Sequence, residues 1–235
     1  MRRVSPRTLE TVYQKLFSAF GPRHWWPGET PFEVAVGAIL TQNTSWSNAS
    51  AAVQELKRRN LLDPQRMGKL PQRQLAKSIR PSGYFNQKAR RLKVFVRYLM
   101  EHYGGRMHLM RKAPLRRLRR ELLELWGIGP ETADSILLYA LGKPVFVVDA
   151  YTKRILARHG LVPWDSSYDQ IQRLFQGALE GRGKTRKYNE YHALIVETGK
   201  EFCHPQPFCS SCPLKSVGRL KLERGARSRS KLHKK

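Results

Sequence analysis

Cysteine is scarce: three in 235 residues, too few for a disulfide framework. Carboxylates are scarce as well. Eighteen Asp+Glu stand against 44 Lys+Arg, a formal charge of +26, which excludes an acidic solvating chain and points to a polyanionic partner. Long apolar runs are missing. VAVGAIL at 34–40 and ILLYAL at 136–141 fall far short of the roughly 20 residues that span a bilayer. The opening MRRVSPRTLETVYQKLF carries charge but no apolar signal core. The expectation is a monomer with no membrane association, in the cytoplasm and near the nucleoid. β-like sequence is confined to VFVVD at 145–149, and one such run makes no sheet.

What is present is apolar sequence at helical spacing. With 40% hydrophobic and 10% aromatic residues, the chain can bury a core. Leu9, Val12, Tyr13, Leu16, Phe17 and Phe20 mark a first helix that ends at Gly21-Pro22. Residues 31–43 read as a buried helix, and 47–60 as a more polar one. After a stretch punctuated by Pro64, Pro71 and Pro81, residues 87–102 read as an amphipathic helix. Further helices are expected at 115–125, from Pro130, at 150–159, at 167–180 and at 187–202. The class is all-α. Residues 215–235 hold nine Lys/Arg and one Glu and read as a solvated basic tail.

LRRELLELWGIGPETADSILLYALG places two amphipathic helices around Gly127-Ile128-Gly129. The two glycines permit a tight turn at positive φ, Ile128 can anchor it, and Pro130 suits the first turn of the next helix. Free N–H groups at such a turn and helix start suit a phosphate, and this is a sequence-independent grip on a DNA backbone. An ordinary helical hairpin is the plainer alternative. The net charge and the RRLRR run at 116–120 favour the nucleic acid.

Twenty residues on, PVFVVD delivers Asp149 to the start of AYTKRILARHG. An apolar approach implies a carboxylate seated against the core and partly desolvated. The alternative is a simple helix N-cap, which Asp favours in any case.

GIGPETAD followed by PVFVVDAYTKR resembles the signature of the helix–hairpin–helix DNA glycosylase superfamily, the endonuclease III relatives. The resemblance runs over about residues 5–213. WWP at 25–27, LTQNT at 40–44, RPSGYFNQKARRL at 80–92 and GIGPETADSILLYA resemble the 3-methyladenine DNA glycosylase III branch most. The fold it implies is two helical lobes. One is built from about 28–135 and ends in the hairpin; the other pairs 1–27 with 136–213, and 214–235 is the tail. The implied partner is double-stranded DNA containing a damaged base.

The resemblance implies roles for single residues. Asp149 becomes the catalytic carboxylate that stabilises the oxocarbenium-like sugar once the base is drawn from the stack, and it can orient or deprotonate the attacking water. Gln42 enters the DNA, and Gly127, Ile128, Gly129 and Thr132 grip its backbone. Trp25, Trp26, Tyr84 and Phe85 are candidates for an aromatic slot that selects a cationic alkylated base, with core packing as their alternative; Lys200 is a candidate beside them. His159 and His192 read as structural. Glu131 stands where bifunctional members carry the lysine that forms an imine with the sugar, and a carboxylate cannot do that. A monofunctional enzyme follows, with water as the nucleophile. An endonuclease III-type glycosylase/lyase for oxidised pyrimidines, or a DNA-binding module without catalysis, are the competing readings.

Cys203, Cys209 and Cys212 form C-x5-C-x2-C, where the family's [4Fe-4S] loop is C-x6-C-x2-C-x5-C. The first gap is one short, and Gly218 stands at the fourth position. Cluster ligation wants four thiolates. An iron–sulfur cluster with a substitute ligand, a zinc site completed by His204 or His233, and a loop of free thiols all remain open.

Overall fold

The computed structural model describes residues 4–23, 25, 28–179, 181 and 183–220. Twelve α-helices and no strand occur among them: α1 Pro6–Phe20, α2 Pro31–Leu40, α3 Trp46–Arg58, α4 Pro64–Lys69, α5 Gln72–Ser78, α6 Phe85–Tyr103, α7 Met107–Lys112, α8 Leu115–Glu124, α9 Pro130–Ser135, α10 Ala150–Arg158, α11 Tyr168–Ala178 and α12 Lys184–Glu201. VFVVD is not a strand: it crosses the core as extended chain, Val145 to Val148 at most 2% exposed, with the Gln176 and Gln172 side chains bonded to the N–H and carbonyl of Phe146. No helix among the described residues is long and apolar enough to cross a membrane.

The chain divides into two compact units, Trp26–Pro144 and Met1–Trp25 with Val145–Lys235. The sequence puts the second break near 135. The unit runs on to Pro144 because α9 continues as a π-helical turn, Ile136–Ala140, whose buried Ile136, Leu137 and Leu138 pack against α2.

In the unit 26–144, α2 is the core helix. Every residue from Phe32 to Leu40 is buried, so the helix has no polar face, as an element enclosed on all sides must. Thr30 caps it by accepting from the Glu33 N–H. Glu33, itself buried, pairs with Lys57 at 2.9 Å. In the other unit, Leu9, Val12 and Leu16 of α1 meet an aromatic stack of Phe146 on Phe175, centroids 3.8 Å apart, edged by Tyr188 and Tyr191. The Tyr191 hydroxyl donates to the Leu9 carbonyl at 2.8 Å.

The stretch punctuated by prolines holds α4 and α5, and α7 is likewise absent from the sequence reading; two further segments depart from that reading. Leu214 and Val217 are buried, so the final segment begins packed and not solvated; residues 221–235 lie outside the described residues. The KARRLK run at 88–93 is not one basic face. Lys88 is fully buried and its Nζ donates to the Leu40 and Ser82 carbonyls at 2.9 and 2.6 Å; burial, with Arg91 nearby, pulls its ammonium down to about 8. Lys93 donates to the Gly68 and Leu70 carbonyls at the end of α4.

Two buried imidazoles give the fold a pH dependence. Burial pulls both His159 and His192 below their ordinary value of 6.5. Both stay neutral in the folded chain while the unfolded chain takes up the proton first, so stability is lost as pH falls through 6.5 and below. Urea midpoints are expected to drop between about pH 7 and about pH 5, and to drop less in a His192→Gln variant; an equal slope in both would contradict a buried neutral imidazole at 192.

Candidate functional site

The hairpin between α8 and α9 is built as a turn held from both sides. Gly127 has φ +78, a conformation that glycine adopts without steric cost. Gly129 does not: its φ is −89 and it serves as the extended N-cap residue of α9, so only the first glycine of the pair is required by backbone geometry. Ile128 is 4% exposed and anchors the turn. Arg119 of α8 forms a fork with Asp134 of α9, Nε to Oδ1 at 2.8 Å and Nη2 to Oδ2 at 3.1 Å. Asp134 is completely buried, so this bidentate pair sets the relation of the two helices. One arginine of the RRLRR run is therefore internal.

Gln42 lies against the same turn. Its Nε2 donates to the Gly127 carbonyl at 3.1 Å and to Thr132 Oγ1 at 2.7 Å, and its Oε1 accepts from Arg91 Nη1. Both ends of the amide are thus used, which fixes its orientation. Arg91 is the residue the sequence did not single out. A Cβ on Gly127 would come within 2.6 Å of its Nε, so glycine at 127 makes room for the arginine that holds Gln42. The neighbouring Arg90 lies over the exposed Trp126 ring at 3.9 Å. Tyr84 begins α6 in the left-handed region at φ +44 and is 66% exposed, while Phe85 is half-buried. An exposed aromatic held at positive φ carries backbone strain of about 1–3 kcal/mol; core packing does not account for Tyr84. Glu131 is exposed in the first turn of α9.

The carboxylate belongs to the other unit. Asp149 ends the buried run Val145–Val148 and caps α10: Oδ1 accepts from the Thr152 N–H and from the Thr152 hydroxyl, both at 2.7 Å. Oδ2 lies 3.7 Å from His192 Nε2 on α12. Burial keeps that imidazole neutral in spite of the carboxylate, which acts to raise it. The Asp149 side chain is 12% exposed. Capping and a desolvated carboxylate are therefore one arrangement and not alternatives. Gly199 lets α12 approach so closely, since a Cβ there would stand 2.1 Å from the Tyr151 ring. Thr152, three residues on, and the distant His192 set the carboxylate's surroundings; a β-hydroxyl at N3 of a helix capped by Asp is the only sequence sign of the first.

Lys200 and Trp25 meet in this unit, the ammonium 5.2 Å from the ring centroid, a cation–π geometry. Arg23, paired with Glu197 at 3.5 Å, fixes the segment that brings Trp25 to α12. Trp26 lies outside the described residues. A depression of about 890 Å³ lined by Leu161, Pro163, Ile171 and Leu174 holds none of the candidate residues.

The cysteine loop fails the test for a metal. Cys203 and Cys212 are buried and Cys209 is partly so, but no group of three or more Cys, His, Asp or Glu among the described residues is placed to hold an ion. Burial pushes the Cys212 thiol up to about 11. Gly218, at the fourth-ligand position, has φ +65, and a Cβ there would stand 2.1 Å from the His159 carbonyl oxygen. The sequence-based expectation of iron–sulfur or zinc thus meets a donor set that does not fit either; His233 lies outside the described residues.

Comparison with known proteins agrees with this architecture. A family model described as HhH-GPD superfamily base excision DNA repair protein matches residues 36–180. A protein of Methanocaldococcus jannaschii, named provisionally a DNA repair glycosylase, is 45% identical over 87% of this chain and 92% of its own length. Endonuclease III of Thermotoga maritima is 31% identical over 88% and 91%. Among solved structures, the H. pylori 3-methyladenine DNA glycosylase bound to 1,N6-ethenoadenine superposes with a TM-score of 0.70 at 28% identity, covering 83% of this chain and 95% of that one. An endonuclease III–DNA complex superposes at 0.77 over 92% and 95%, at 23% identity.

The hairpin makes a sharp distinction between its glycines. Gly127→Val places a β-branched residue at φ +78 and drives it into Arg91, at a cost of about 1–3 kcal/mol for the backbone alone. Gly129→Ala meets open space and is expected to hold the melting temperature to within about 2 °C. Thermal unfolding of the two variants checks this; equal losses would contradict the turn as described.

Proposed function

The chain belongs to the HhH-GPD superfamily of base excision DNA repair proteins, and from that premise we propose a monofunctional DNA glycosylase that removes an alkylated, 3-methyladenine-like base by hydrolysis. That it is a DNA glycosylase of base excision repair, a hydrolase of N-glycosyl bonds acting on DNA, follows from the family and its relatives. The catalytic step of this reading rests on Asp149, its monofunctional character on Glu131 and its alkylated substrate on the H. pylori relative. The Asp149 carboxylate is mostly buried, at the end of an apolar approach, with Oδ1 held by two donors from Thr152.

Bond cleavage leaves positive charge on the sugar. A carboxylate whose dipolar surroundings are already ordered stabilises that charge without reorganisation at the moment of reaction. Thr152 keeps Oδ1 in place, while the neutral His192 does not compensate the carboxylate's charge. Water is the nucleophile in this reading, because Glu131 offers no amine and the buried Lys88 spends its protons on two carbonyls. A cationic alkylated purine leaves readily, and the Trp25 ring supplies a candidate contact for it, with the Lys200 ammonium at one side of that ring. The H. pylori relative, bound to an ethenoadenine, supports the choice of an alkylated base. The 31% identity to an endonuclease III supports the alternative of an oxidised pyrimidine with strand cleavage. Duplex DNA is gripped at the hairpin, through the N–H groups around Gly129 and the start of α9.

Asp149→Asn is the decisive variant. Asn caps a helix about as well as Asp but brings no charge, so base release from methylated DNA is expected to fall by about a hundredfold or more, roughly 3 kcal/mol, with DNA binding intact or tighter. Near-normal activity would move the catalytic carboxylate elsewhere. Borohydride in the same assay traps an imine only if the enzyme is also a lyase, and a panel of alkylated and oxidised lesions separates the two substrate readings. Affinity for undamaged duplex should fall with salt by roughly one unit of log–log slope per phosphate contacted.

A further inference from the structure

The family resemblance gives the loop after α12 a metal; the geometry gives it a different fastening. Arg154 and Arg158 lie one helical turn apart on α10, His159 follows as its C-terminal cap residue, and all three reach the loop. Arg154 Nε donates to the Cys203 carbonyl at 2.7 Å. Arg158, 1% exposed, sends Nη1 to the His204 carbonyl and to Cys203 Sγ at 3.3 Å, and Nη2 to the Pro205 carbonyl at 3.2 Å. His159 Nδ1 donates to the Val217 carbonyl at 2.9 Å, and its own carbonyl accepts from the Arg219 N–H at 3.0 Å. Both ends of the loop are thereby closed onto one helix.

The same contacts oppose a metal. Arg158 Nη1 stands beside Cys203 sulfur at 3.3 Å, and no group of three or more Cys, His, Asp or Glu among the described residues is placed to hold an ion. Gly218 leaves no space for a side chain of any kind.

We propose that this loop is a metal-free clasp, in which Arg154, Arg158 and His159 of α10 hold the loop's backbone carbonyls and the three cysteines remain thiols that bind neither iron nor zinc. The inference goes beyond the glycosylase reading and does not use it. The clasp replaces metal–thiolate bonds by charge-assisted hydrogen bonds, which are stronger than those between neutral groups, and it gives partners to both terminal nitrogens of a buried guanidinium, which would otherwise be costly.

The test uses the full-length protein, purified under nitrogen from cells grown with added iron and zinc. Metal analysis and the visible spectrum should show neither metal, and all three cysteines should titrate as thiols after denaturation. Joint replacement by Cys203→Ser, Cys209→Ser and Cys212→Ser should leave the melting temperature nearly unchanged. Arg158→Met keeps the apolar stem and removes the donors; it should lower the melting temperature by about 10 °C or more, and failure to fold counts as the same loss. Arg158→Lys, which restores charge but not the fork, should recover only part. Stoichiometric iron or zinc, a triple serine variant that does not fold, or an Arg158→Met protein as stable as the parent would each overturn the clasp. None of these readouts involves base release, so failure of the enzymatic reading leaves the test standing.

Discussion

The structure depends on how its carbonyls are satisfied. A chain of short helices leaves the last four carbonyls of each without an intrahelical partner, and in a compact unit many of these ends are shielded from water. The protein meets that demand with its own cations. Lys88 serves the end of α2, Lys93 the end of α4, Lys143 the Ala113 carbonyl after α7, and Arg154 and Arg158 the loop after α12. A Lys or Arg is an economical donor for this purpose, since one flexible side chain brings several N–H groups to carbonyls from different segments. The large positive charge therefore has two uses. Some of it faces outward, where a polyanion can meet it; Lys88 and Arg158 are buried on carbonyls, and Lys93, Lys143 and Arg154 are partly buried.

That division explains what the sequence could and could not tell. The longer helices were legible because apolar residues recur at helical spacing and because Ser5, Thr30, Ser45 and Ser167 cap where short polar residues should; α4, α5 and α7, six or seven residues each, were not, because two turns or fewer carry no apolar period. The fate of each cation was not legible. KARRLK reads as one basic run, yet its four charges split by helix face: two go to carbonyls in the interior and two to the hairpin side, where Arg90 lies on Trp126 and Arg91 holds Gln42. Such a partition depends on tertiary neighbours that no local pattern encodes. The same holds for VFVVD, whose β-branched residues look like a strand but which has no partner strand and is paired by glutamine side chains.

The candidate site was legible in its named residues and opaque in their supports. Asp149, Gln42 and the Gly127 turn stand out in sequence because each lies in a motif with a mechanical reason. His192 and Arg91 do not, because each acts through contact across a fold; Thr152 is local, the third residue of the helix that Asp149 caps. His192 comes from a helix more than forty positions away. Arg91 comes to the turn only because glycine at 127 leaves it space. Where two readings competed, as with Asp149 as cap or as desolvated carboxylate, the geometry removes the competition: one oxygen caps, the other faces His192, and the same burial serves both.

α10 carries this logic furthest. Its first residue follows the Asp149 carboxylate, and its last turn bears Arg158 and His159. One short helix thus has its N-terminus fixed by a carboxylate that accepts two bonds from Thr152, and its C-terminal half fixed by cations bonded to loop carbonyls. The charges match the helix dipole at both ends, negative at the start and positive at the finish. A nine-residue helix is marginal by itself; held at both ends and packed on α12 through the bare surface at Gly199, it becomes a rigid mount. Through the cations bonded to its carbonyls, the loop after α12 braces the helix that follows Asp149.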